Sequence, residues 1–68
     1  MNVKVMLLPE RSLQTVELEK GADGFQLLKS IGLNPESVII FRTDKPIPVD
    51  SRMRPNDDLK VVRVVSGG

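Results

Sequence analysis

Hydrophobic and polar positions alternate from the first residues of the chain. In residues 2–8, NVKVMLL, Val3, Val5 and Leu7 share one parity against Asn2, Lys4 and Met6. That is the period of a strand with one buried face. PERS at 9–12 reads as a turn, because proline presets the backbone there. Alternation resumes over 13–19, with Val16 and Leu18 on one side and Glu17 and Glu19 on the other. Two such runs joined by a short loop predict a β-hairpin.

The period then lengthens. In GADGFQLLKSIGLNP, Phe25, Leu28 and Ile31 fall three apart with Leu27 beside them, the spacing of one helix face. Asp23 is the expected N-cap, Gly32 the expected left-handed residue after the helix, and Pro35 the stop. Gly24 in the first turn works against this helix, by up to about 1 kcal/mol relative to alanine. Phe25, Leu28 and Ile31 are expected to pack on Val3, Val5, Val38, Ile40, Leu59 and Val61.

VIIF at 38–41 predicts a third strand, TDKP at 43–46 a turn, and IPV at 47–49 a short strand that Pro48 confines to an edge. RPND at 54–57 turns the chain again, with Asn56 able to adopt a positive φ. A last strand is expected over 59–65. The order describes an α+β fold, a mixed sheet of four to five strands with one main helix packed on one face.

A single helix covers one face, so strands should carry polar residues on the other. The third and last strands break that rule. If Val38, Ile40, Leu59 and Val61 face the helix, then Ile39, Phe41, Val62 and Val64 lie on the open face. A covering loop or ordinary exposed surface would explain them; an apolar cluster near the end of the last strand more often marks a docking surface. Phe41, Val62 and Val64 are the candidate docking residues.

Composition removes whole classes of chemistry. The chain has 68 residues and a formal net charge of +1, from 10 Lys+Arg against 9 Asp+Glu. It is one small domain with little volume for a deep active site. Its charge gives no reason to expect nucleic acid or an anionic membrane as partner. No apolar segment is long enough to span a bilayer. His, Cys, Tyr and Trp are all absent, so there is no imidazole to activate a serine and no thiolate nucleophile or metal ligand. Asp57-Asp58 could be half of a metal site, but no further ligands share its spacing, and a turn before a strand is the simpler reading. No catalytic residues and no metal site are expected, and a cytoplasmic protein, monomeric when free, is the default.

The sequence runs from LKVVRVV into Ser66, Gly67 and Gly68. Residues 1–65 are expected to form the domain and 66–68 a flexible tail. Glycine lacks a Cβ, so such a tail enters a narrow channel where another protein's backbone approaches closely. A carboxylate at the end of that tether is suited to activation by a partner enzyme.

Here the chain resembles the β-grasp sulfur carriers of the ThiS/MoaD family, relatives of ubiquitin. The resemblance rests on GLNPESVIIFR, on KPIPVD with its Pro-x-Pro, and on NDDLKVVRVVSGG, and it covers essentially all 68 residues. It implies a carrier that binds no cofactor itself. The carboxylate of Gly68 would be adenylated by a ubiquitin-activating-type adenylyltransferase, ThiF/MoeB-like, that uses ATP, with Gly67 as the slim neighbour the activation requires. Sulfur transfer would then give a thiocarboxylate that donates sulfur to a synthase. The absence of Pro-Pro before the glycines, and the short length, resemble the thiamine-type branch more than the molybdopterin-type. A tRNA base is a third acceptor. The alternative is a ubiquitin-like modifier joined to lysines through Gly68. Thr43-Asp44, Asn56-Asp57 and Gly24 depart from residues common in the family, and bear on turns and helix packing rather than on the tail.

Overall fold

The structure is a computed structural model and describes residues 1–64. Five strands and one α-helix follow in the order β1 (Asn2–Leu8), β2 (Ser12–Glu17), α1 (Gly24–Ser30), a 3-10 turn (Pro35–Ser37), β3 (Val38–Arg42), β4 (Lys45–Ile47) and β5 (Asp58–Arg63). The strands form one sheet in the order β2-β1-β5-β3-β4. β1 and β5 run parallel at its centre, and every other pairing is antiparallel. This is the expected mixed sheet with one helix on one face, the β-grasp arrangement.

The local devices follow from particular residues. Asp23 caps α1, accepting from the Gln26 N–H at 3.1 Å, while the Gln26 side chain accepts from the Asp23 N–H at 3.1 Å. This reciprocal box satisfies two helix-end donors. At the other end Gly32 has φ 72°, and Leu33 N–H donates to the Leu28 carbonyl at 2.9 Å, a Schellman closure. Asn56 has the expected positive φ, 63°.

The β3–β4 turn differs from the expectation. Thr43 and Asp44 both have positive φ, 51° and 63°, as in the two-residue turns that match strand twist. Pairing therefore starts at once, Arg42 opposite Lys45, and β4 occupies Lys45–Ile47 rather than 47–49. Pro46 sits opposite Phe41, where a backbone N–H would point to solvent, as an edge strand permits. The expected final strand over 59–65 is found as Asp58–Arg63; its last expected residue, Val65, lies outside the described residues.

The core holds Val3, Val5, Leu7, Val16, Leu18, Ala22, Leu27, Leu28, Ile40, Met53, Leu59 and Val61. The helix face differs from the one read from the sequence. Gly24, Leu27 and Leu28 are buried, Ile31 packs partly on the core, and Phe25 is 46% exposed. Val38 is likewise only partly buried. The buried stripe is i, i+3, i+4, i+7 starting from Gly24, and the reason is steric. A Cβ at Gly24 would overlap the Val49 carbonyl oxygen and sit 3.0 Å from Ile40 Cδ1. Gly24 N–H donates to the Ser51 carbonyl at 3.0 Å, and Met53 N–H to the Ala22 carbonyl at 2.8 Å. Segment 49–53 is thus bound to the start of α1, and the closeness of that contact turns Phe25 outward.

Asp57 is a structural residue. Arg42 grips it through Nε at 3.2 Å and Nη2 at 2.7 Å, and the Arg54 N–H donates to it at 2.7 Å. Arg42 Nη2 also donates to the Arg52 carbonyl at 3.0 Å. The Asp57 side chain is only 9% exposed, so its removal leaves charge-assisted donors without a partner. Asp57→Ala is expected to cost about 2–3 kcal/mol, read as a lower midpoint in urea unfolding.

Candidate functional site

The strand registers define the open face residue by residue. One row across the sheet runs Leu13, Met6, Lys60, Phe41, Pro46, and the next runs Leu8, Val62, Ile39. Toward the opposite end lies a polar row in which Thr15 pairs with Lys4 and Lys4 with Asp58. The face is therefore divided into an apolar half and a polar half. The apolar half lies at the end of the sheet where β5 runs out. Val64 extends it, and its N–H donates to the Ser37 carbonyl at 2.8 Å.

Phe41, Val62 and Val64 are brought together on this face as the sequence suggested. Val64 is 48% exposed and its neighbour Ile39 42% exposed, while Phe41 and Val62 are partly buried. The sequence reading missed Leu8, Met6 and Leu13, the last 61% exposed. Their signal was available: β1 and β2 also carry apolar residues at the outward parity in the half nearest the hairpin. Gly67 and Gly68, the expected site of activation, lie outside the described residues.

One cation stands within the apolar half. Lys60 Nζ donates to Asp44 Oδ1 at 2.8 Å. The hydrogen bond and the opposite charge hold Asp44 below the usual carboxylate value and raise Lys60 above the usual ammonium value. The pair's contribution to stability is lost as pH falls through the lowered Asp44 value or rises through the raised Lys60 value. Both groups are exposed, so that contribution is small and screened by salt. A second ion pair, Arg63 to Glu10 at 3.4 Å, lies where β5 ends, Arg63 sharing the parity of the buried Leu59 and Val61.

Among the described residues no group of three or more acidic residues is placed to hold a metal ion. Asp57 is occupied by Arg42 and Arg54, and Asp58 faces Lys4 across the β1–β5 pairing. No helix among the described residues is long and apolar enough to cross a membrane. The surface offers apolar contact beside the end of β5, a means of binding.

A five-stranded mixed sheet with one helix on one face is the ubiquitin-like β-grasp class of fold. Over residues 1–65 the sequence matches the family described as SAMP2, small archaeal modifier protein 2, and the chain belongs to that family. It is 34% identical over 64 residues to the sulfur carrier protein TtuB of Thermus thermophilus, covering 94% of this chain and 95% of that one. It is 41% identical over 54 residues to an uncharacterised protein of Archaeoglobus fulgidus, covering 78% and 79% of the two chains. The crystal structure of SAMP1 from Haloferax volcanii superposes over 100% of both chains with a TM-score of 0.76 at 15% identity, which shows the shared fold. The family is thus described as one of small modifiers, and TtuB as a sulfur carrier.

Proposed function

We propose that this protein presents the carboxylate of Gly68 for activation by an ATP-using adenylyltransferase of the ubiquitin-activating type. One carboxylate oxygen attacks the α-phosphorus of ATP, pyrophosphate leaves, and an acyl-adenylate forms. Hydrosulfide supplied by the partner system then attacks the acyl carbon, AMP leaves, and the product is a thiocarboxylate, the sulfur donor for a synthase. This chain binds no cofactor; ATP belongs to the partner. The cytoplasm is the proposed place of action. The observation that carries the reading is the apolar half-face beside the end of β5, the strand that Ser66-Gly67-Gly68 follow closely in sequence, in a member of a carrier and modifier family.

The same acyl-adenylate also serves the second reading. If a lysine amine displaces AMP, directly or through an enzyme thioester, the product is an amide and the protein is a modifier. One specific observation favours carrying both: the family is described as a modifier, while a relative covering nearly the whole chain is named a sulfur carrier. For the sulfur branch, the thiamine-type resemblance makes a thiazole precursor the first acceptor to test, with molybdopterin precursor and tRNA as the others.

In this reading Phe41, Val62 and Val64, with Ile39 and Leu8, meet the activating enzyme. Val62→Asp is expected to leave the unfolding midpoint nearly unchanged, because Val62 lies on the open face. It should weaken binding by at least about tenfold, because the new charge must be desolvated at an apolar contact. Titration calorimetry with the adenylyltransferase, beside a thermal melt, checks both. Full binding by a folded Val62→Asp protein would remove this face from the docking surface.

A further inference from the structure

Residues 32–37, GLNPES, join α1 to β3 and are pinned at each step. Leu33 N–H returns to the Leu28 carbonyl at 2.9 Å, and Ser37 N–H donates to the Asn34 carbonyl at 3.0 Å. The Asn34 side chain accepts from the Glu36 N–H at 3.0 Å. Pro35 opens the 3-10 turn with its φ preset. The turn buries no residue, so core packing does not account for its order.

What the turn presents is the Ser37 carbonyl, which accepts from the Val64 N–H at 2.8 Å. The rest of the sheet holds β5 only as far as Val62. β1 pairs with β5 no further than Leu8 opposite Val62. On the β3 side, bonded and non-bonded pairs alternate along an antiparallel ladder. With Ser37 accepting from Val64, Val38 and Arg63 are a non-bonded pair, and the next bonded pair is Ile39 with Val62. Arg63 adds a side-chain contact, to Glu10 at 3.4 Å. The Ser37 N–H makes no return bond to Val64, because it donates to Asn34. One hydrogen bond therefore separates a chain anchored at Val64 from one anchored at Val62.

That difference matters for a carboxylate that must be delivered. Counted from Val64, four residues lead to and include Gly68, 65–68; counted from Val62 there are six, 63–68. Four residues span at most about 14 Å and six at most about 22 Å. A longer free tether dilutes its end and spreads it over more orientations. Attack on a phosphorus needs one near-attack geometry, so the rate is sensitive to where the tether is rooted.

We infer that the turn at residues 34–37 is a clamp on the end of β5, which roots the tail at Val64 through the Ser37 carbonyl, with Asn34 as a positioning residue for activation of Gly68. Asn34 touches no reacting atom; it acts by holding the turn that holds Val64. The inference rests on the proposed adenylation of Gly68 and adds the origin from which its carboxylate is presented. The clamp serves the step after docking, so it acts on kcat and leaves affinity alone.

Two alterations test the clamp from its two sides. A full chain made by chemical synthesis, with the Val64 N–H replaced by an ester oxygen, loses the bond and keeps the side chain. Asn34→Ala loosens the turn, while Asn34→Asp keeps an oxygen that accepts from the Glu36 N–H. With the cognate adenylyltransferase and ATP, the ester chain and Asn34→Ala should release pyrophosphate with kcat lowered at least about fivefold, and the dissociation constant for docking should stay within about twofold. Asn34→Asp should return close to the unaltered rate. Amide exchange should find Val64 protected in the unaltered chain and at least about tenfold faster in Asn34→Ala, with Val62 unchanged. An unaltered kcat in the ester chain, a fall shared equally by Asn34→Ala and Asn34→Asp, or a loss that falls on docking affinity instead would overturn the inference while the reading of Gly68 stands. Absence of pyrophosphate release from the unaltered chain, with docking intact, would overturn that reading and the inference with it.

Discussion

Removal of Gly68 is expected to abolish pyrophosphate release by the cognate adenylyltransferase while leaving thermal unfolding unchanged. Attack on the α-phosphorus needs the carboxylate oxygen in line and about 3–3.5 Å away, and a displacement near 1 Å can cost on the order of 100-fold in rate. Deleting one residue shortens the reach of the chain by about 3.5 Å, well beyond that tolerance. Appending a residue after Gly68 errs by as much in the other direction. Gly67→Val keeps the length but adds a branched side chain and restricts the backbone, so it should fail for a different reason. All three proteins should bind through the open face with near-normal affinity, since that face is built by β1, β5 and β3. Ser66→Ala should be almost silent. Pyrophosphate release per mole of carrier, with binding measured separately, distinguishes a failure of chemistry from a failure of docking.

The largest effects on stability belong to the helix face. Leu28 is fully buried, and Leu28→Ala is expected to cost about 2–5 kcal/mol. A domain of this size has roughly 3–10 kcal/mol in total, so the variant will be close to unfolding. Phe25→Ala should cost much less, under about 1 kcal/mol, because the ring is 46% exposed. Gly24→Ala decides between two opposed effects. Alanine gains up to about 1 kcal/mol of helix propensity, but its Cβ overlaps the backbone oxygen of Val49, which is held in place by the bond from Gly24 to Ser51. Overpacking against a backbone atom costs about 1–3 kcal/mol or more, so the substitution should destabilise, and Gly24→Val more so. Urea midpoints for the four variants order these effects. A Phe25→Ala protein less stable than Leu28→Ala would reverse the face assignment.

The two largest discrepancies between sequence and structure have different causes. Alternation in β1 and β2, the caps at Asp23 and Gly32, and the turn at Asn56 are local signals, and each is found where its residues predict. The helix face was not local. Phe25, Leu28 and Ile31 satisfy a spacing of three, but Gly24, Leu27, Leu28 and Ile31 satisfy the helical period better once a glycine is allowed to be a contact residue. Residue counting assigns glycine no hydrophobic weight, so the approach of segment 49–53 was invisible. The displacement of β4 came from Thr43-Asp44, neither of which is a glycine, adopting a turn that commonly uses one. On the candidate site, the double parity of VIIF and LKVVRVV exposed half of the apolar patch. Met6, Leu8 and Leu13 joined it only when the registers placed them beside Lys60 and Val62, because sequence order does not say which strands are neighbours. Asp57, adjacent to Asp58 in sequence, separates from it in role because Arg42 arrives from a different strand.

The central claim is that Gly68 ends in the reactive group, and intact-mass analysis tests it most directly. The full chain would be incubated with its adenylyltransferase, ATP and a sulfur source, then digested so that the peptide bearing Gly68 is weighed alone. The account predicts a mass gain equal to replacing one carboxylate oxygen by sulfur, confined to that peptide, dependent on ATP and absent without Gly68. An unchanged Gly68 peptide, under conditions where the enzyme binds the protein and a known carrier of the same class is converted, would contradict it.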